Sequence, residues 1–237
     1  MNCFDSLTNL EELEFKDAEI SEVHSQAFEP LVNLRKLEIH QSLSYPKKSL
    51  PTDLFSPLTK LESLGLLYNN FKSFDSNFFD SLVNLQDLTL IDLKMKNLDE
   101  PKLFAPLINL KKLTVAESKI SQFHPELFRP LTKLIKLDLH WNKLTILDQS
   151  ELFSSLVNLE VLRLNGNEIT SFHQDVFKLV VSLRKLDLSN NKIERLEQPE
   201  LFASLINLED LNLEGNTISY SHPNLYDSLK SLKTNKK

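Results

Sequence analysis

The side chains that could do chemistry are few and scattered. There are six histidines, one cysteine (Cys3) and 33 carboxylates. An imidazole serves as a general base or a metal ligand, and either role needs partner groups close by. Cys3 has no second cysteine, so it forms no internal disulfide and fits no CxxC or Cys/His metal spacing. With three glycines in 237 residues, no GxGxxG or GxxxxGK phosphate loop exists. No serine, histidine and aspartate fall in neighbouring registers that would join them as a triad. Catalysis, a resident metal and a cofactor are therefore not expected.

Composition narrows the class further. A hydrophobic share of 41% supports a packed core, and the net charge is −6. Lysine and arginine are spread evenly, without the basic stripe that nucleic acid requires or the polybasic cluster of a membrane anchor. No apolar run approaches the ~18 residues that span a bilayer. The opening MNCFDSLTNL has neither a positive nor an apolar signal region. That leaves two expectations: a cytoplasmic protein, or a mature or cut segment of a longer one. A small fold stapled by disulfides is excluded.

What positions the side chains is a repeat. Leu7, Leu31, Leu58, Leu82, Leu107, Leu131, Leu156, Val180 and Leu205 recur at steps of 24 to 27 residues, and each is followed three residues on by leucine. Phe28, Phe55, Phe79, Phe104, Phe128, Phe153, Phe177 and Phe202 precede the later anchors by three, with Phe4 and Tyr226 continuing the column. Each unit then has a short alternating segment such as Leu162-Arg163-Leu164, which reads as a half-buried strand. A polar turn follows, at Asn69, Asn142, Asn167, Asn191 and Asn216. A buried amide there would satisfy backbone groups of neighbouring coils. One unit cannot bury its own leucines, so neighbours must stack.

This pattern, running from about Phe4 to Leu232, resembles the leucine-rich repeat family, in the 24-residue subclass found in Toll-like receptor ectodomains and other extracellular proteins. The resemblance implies an α/β solenoid, a curved horseshoe of about nine coils. A parallel sheet would line its concave face, with loops and short helical turns on the convex face. Residues 1–237 read as a single solenoid with no Cys-rich caps, and its open ends suggest part of a longer array. Between Leu43 and Leu50 the second unit is too long, which predicts a protruding loop bearing Tyr45, Lys47 and Lys48.

Register then assigns faces, because alternate strand residues point to opposite sides. His24, His124, His173 and His222 share one register past the convex turn, and those two repeats apart lie about 10 Å from each other, too far to share a metal. His40 and His140 both lie on the strand face, roughly 19 Å apart. All six read as surface histidines, and charges such as Asp138 and Arg163 as solvating residues. The outward positions of repeats 3 to 6 are apolar or aromatic: Leu67, Tyr68, Ile91, Ala116, His140 and Trp141. Exposed apolar clusters mark interaction sites, and Trp and Tyr are enriched at their hot spots. Leu67, Tyr68, Ile91, His140 and Trp141 are thus the candidate partner-binding residues, for a protein ligand on the concave face. The repeat subclass implies an extracellular or cell-surface receptor or matrix protein. The absence of N-x-S/T sequons keeps a cytoplasmic scaffold open as the alternative. End-to-end self-association through the open ends is a third reading.

Overall fold

A computed structural model describes residues 4–18, 23–41, 51–69, 71 and 73–236. The long turn expected at 43–50 lies outside them. Ten parallel strands form one sheet, ordered as they occur in the chain. The first four are β1 (Glu12–Lys16), β2 (Lys36–His40), β3 (Ser63–Leu67) and β4 (Asp87–Ile91). Lys112–Ala116, Lys136–Asp138, Val161–Arg163, Lys185–Asp187, Asp210–Asn212 and Thr234–Lys236 complete it. The last is one strand beyond the nine repeats counted from anchors. Three two-stranded pairs, such as Asn97–Leu98 with Gln122–Phe123, line the descending side.

The strands pair in register across the repeat: Leu37 opposes Leu64, which opposes Leu88, which opposes Leu113. Leu37 and Ile39 face inward and are 0% and 2% exposed, while Glu38 and His40 face outward. The anchors Leu31 to Leu205 are fully buried in one continuous core. Behind them the phenylalanines stack, Phe153 on Phe177 at 6.4 Å and Phe28 on Phe55 at 6.3 Å. Phe4 and Tyr226 extend the stack at its two ends. Truncating such a ring to alanine leaves a cavity worth about 3–5 kcal/mol.

The convex side carries the expected loops and short helical turns. Among the described residues there is no α-helix, and one 3-10 turn occurs at Ser25–Phe28. Elsewhere the convex chain closes with i to i−3 bonds, such as Leu134 N to Leu131 O at 3.0 Å. Connections this short have no room for a regular helix.

The asparagine turns behave as their register implies. Asn142 donates Nδ2 to Val115 O (2.7 Å) and Leu139 O (3.1 Å), and its Oδ1 accepts from the Ser118 and Ile120 amides. Asn167, Asn191 and Asn216 repeat the pattern. Where a leucine takes the position, Leu93 is buried and its amide donates to Ser118 Oγ. A second ladder at the other turn had no counterpart in the sequence reading: Asn33, Asn84, Asn109, Asn158 and Asn207 donate to carbonyls of the preceding coil.

Candidate functional site

The five candidate residues fall into two groups on the outward face. Leu67 of β3 lies directly opposite Ile91 of β4, and both are half-buried. Tyr68 follows Leu67 and is 46% exposed. His140 and Trp141 follow the strand Lys136–Asp138, and Trp141 is 57% exposed. Between the groups lies Ala116, which is fully buried rather than exposed as expected. A single methyl does not rise to the level of the longer side chains on either side. Tyr68 and Trp141 share a register three strand steps apart, roughly 14 Å.

The register that holds both aromatics is strained. Asp17, Gln41, Tyr68, Asp92, Glu117, Trp141 and Asn190 all have φ between 46° and 57°, and Gly166 and Gly215 have φ of 69° and 73°. Here the chain leaves each strand through the left-handed region, which costs a residue with a Cβ about 1–2 kcal/mol. Glycine is the cheapest occupant, and a bulky aromatic is an outlier that calls for a reason. The Trp141 ring lies against Gly166, where an added Cβ would come within 2.6 Å of the indole. One glycine in the column therefore makes room for the preceding unit's tryptophan. The ring also walls an open trough of about 690 Å³, bordered by Glu117, Lys119, Lys143, Glu168 and Lys192. Lys143 and Lys192 hold Glu168 down to a pKa of about 2.

Two histidines on this face have carboxylate company. Asp138 is 2% exposed, and so is not a solvating residue. His140 Nδ1 donates to its Oδ1 at 2.6 Å, while Arg163 (3.3 Å) and Lys136 (3.6 Å) approach Oδ2. Burial alone would push the Asp138 carboxyl up. The bond from His140 and the charges of His140, Lys136 and Arg163 outweigh it and hold the group below its ordinary value. The same bond raises His140 against the opposing effect of burial, with Glu117 adding to the rise at 3.7 Å from Nε2.

The second histidine, His40, is only 25% exposed at its side chain. Its Nε2 lies 3.0 Å from Glu38 Oε2 and 3.6 Å from Glu14 Oε1. Glu38 comes from the same strand, and Glu14 is its cross-strand neighbour on β1. Lys36 bonds Glu38 Oε1 at 2.8 Å and Lys16 bonds Glu14 at 2.9 Å. Bonds from Lys36, then from His40, hold Glu38 below its usual pKa. The carboxylates on this face are thus not all dispersed. The spacing between histidines alone does not reveal these pairs. The useful signal was an acid two residues before each histidine, on the same strand face. Among the described residues no helix is long and apolar enough to cross a membrane.

The frame has known counterparts. Residues 147–193 and 182–234 match a family described as leucine rich repeat, and residues 1–101 match the BspA type leucine rich repeat region. No curated protein matches the chain. Among solved structures it is similar to TLR13 in its complex with ssRNA13, with a TM-score of 0.84 and 28% identity over 97% of this chain and 36% of that one. An LRR protein of Leptospira interrogans gives 0.82 and 27%, over 98% of this chain and 55% of that one. Drosophila Toll, bound to Spatzle, gives 0.79 over 99% of this chain and 36% of that one; at 21% identity, that likeness is one of fold. The chain spans about a third of the TLR13 and Toll chains and about half of the Leptospira protein. Folds of this kind serve as recognition modules and are typically not catalytic. Both ends of the chain match repeat models and every described unit packs onto the same sheet, so the protein belongs to the leucine-rich repeat family.

Proposed function

We propose that the chain is the recognition surface of an extracellular or cell-surface receptor, and that its concave face binds a protein ligand through Leu67, Tyr68, Ile91, His140 and Trp141. The observation that carries this reading is Trp141 itself. It occupies a left-handed position where glycine or asparagine is cheaper, and more than half of its surface remains in water. Neither backbone preference nor burial accounts for an indole there, whereas binding does. Leu67 and Ile91 supply the aliphatic half of the contact and Tyr68 its edge. The likeness to TLR13 at 28% identity supports a receptor role. TLR13's ligand in that structure is an RNA, but the lysines and arginines of this chain are spread evenly, without the basic stripe that nucleic acid requires, which favours a protein ligand.

The test is quantitative. A protein ligand is first identified by capture on the whole chain, then purified and titrated against variants of unchanged circular dichroism. Trp141→Glu lowers affinity at least ~30-fold, as hot-spot losses do, and the Leu67→Lys, Ile91→Lys pair does the same. Undiminished affinity in both variants refutes the reading.

A further inference from the structure

We propose that Glu14, Glu38 and His40 bind a divalent transition-metal ion of the zinc class, bridging the first two strands of the sheet. Each residue offers one donor atom, and the three donors lie within 4.8 Å of one another. The detail that matters is convergence. Both carboxylates approach the same ring nitrogen, Nε2, at 3.0 and 3.6 Å. A tetrahedral ion with bonds of ~2.0 Å spaces its ligands about 3.3 Å apart, midway between those two values. An ion seated there replaces the proton that His40 and Glu38 share: Nε2 becomes the ligand and the ring keeps its proton on Nδ1.

The surroundings permit this. Glu38 meets Lys36 through Oε1 and His40 through Oε2, so the oxygen facing the ring is not the one held by lysine. Glu14 Oε1 is shared with Lys16, whose side chain is 64% exposed and turns to water when an ion arrives. Across β3, opposite Glu38, stands Gly65. A Cβ at Gly65 would come 3.2 Å from Glu38 Cγ, so the missing side chain leaves Glu38 its place over the sheet. A ring nitrogen in the set favours zinc over calcium or magnesium, which take oxygen shells of six or more or keep their water. The face is open to solvent, which leaves a fourth position for water. Because Glu14 belongs to β1 and the other two donors to β2, the ion ties the sheet's first strand to its second, and binding adds to the stability of that end.

Zinc titrated calorimetrically into the whole chain near neutral pH reads out the site. The wild type binds one ion tightly, and His40→Gln and Glu38→Gln each weaken that binding by more than ~10-fold, since even the loss of an outer partner costs that much. His124→Ala, on the convex side, does not. Zinc also slows amide exchange of residues 12–16 in the wild type and fails to do so in His40→Gln. If the wild type takes up no zinc, or His40→Gln takes it up as well as the wild type, the proposal fails.

Discussion

Two histidines on the same face follow a carboxylate by two residues, at 38–40 and at 138–140, and they are wired differently. At His40 both carboxylates meet one nitrogen, and the donor side chains are 25% to 44% exposed. At His140 the carboxylates take opposite edges of the ring, Asp138 at Nδ1 and Glu117 at Nε2. Asp138 is buried under His140, Arg163 and Lys136, so its charge is neutralised within the fold. The first arrangement leaves a point where a cation fits; the second consumes its charges in holding the coil. The difference comes from neighbours. Beside Glu38 stands Gly65, whereas beside Asp138 stands Arg163, the next central residue along the sheet. The same three-residue pattern is thus a ligand set in one place and a structural lock in the other.

The comparison breaks most readily at Asp138. Asp138→Ala removes the shared acceptor of three groups and should cost about 2–3 kcal/mol, read as a fall in the urea midpoint. That is below the ~3–5 kcal/mol of a wholly buried pair, because Arg163 and Lys136 can turn to water. The corresponding Glu38→Gln, whose partners Lys36 and His40 are 45% and 25% exposed, should cost less than ~1 kcal/mol without metal. Equal losses at the two positions would erase the distinction.

A finer test is pH. The folded-state pKa of His140 is raised above its ordinary 6.5 by Asp138 and, more weakly, by Glu117, while Arg163 opposes them. Its stabilisation is therefore fully present below about pH 6.5 and is lost as pH rises through the raised folded value. Urea midpoints should decline over that window in the wild type and stay flatter in His140→Gln. An identical profile in the two proteins would show that the Asp138–His140 bond carries no protonation-linked stability.

One more substitution tests the third feature, the left-handed column. Gly166→Ala puts a Cβ into the Trp141 ring and a side chain at a φ of 69°. It should cost about 1–2 kcal/mol and shift the indole's fluorescence, whereas an unshifted spectrum would mean the ring does not rest on Gly166.

Much of this architecture is legible in the chain as a string. Leucine and phenylalanine columns recur at nearly constant spacing, and a period states which side chains face inward before any coordinate exists. The Leu37–Leu64–Leu88 register, the Phe4-to-Tyr226 stack and the Asn142-type turns follow from it, because each is one repeat's local pattern copied onto its neighbour. Contacts between unlike residues on adjacent coils are a different matter, since no period encodes them. That Asp138 is buried, that Ala116 lies below its neighbours, and that Tyr68 and Trp141 enter a left-handed column depend on which side chains flank them and how far each reaches. So does the meeting of Glu14 with His40, one repeat apart in the chain. Spacing decides what lies inside, because burying apolar surface is indifferent to partner. Only the stacked coils decide which polar groups meet on the outside, because hydrogen bonds and ligation need atoms within about 3 Å in the right direction.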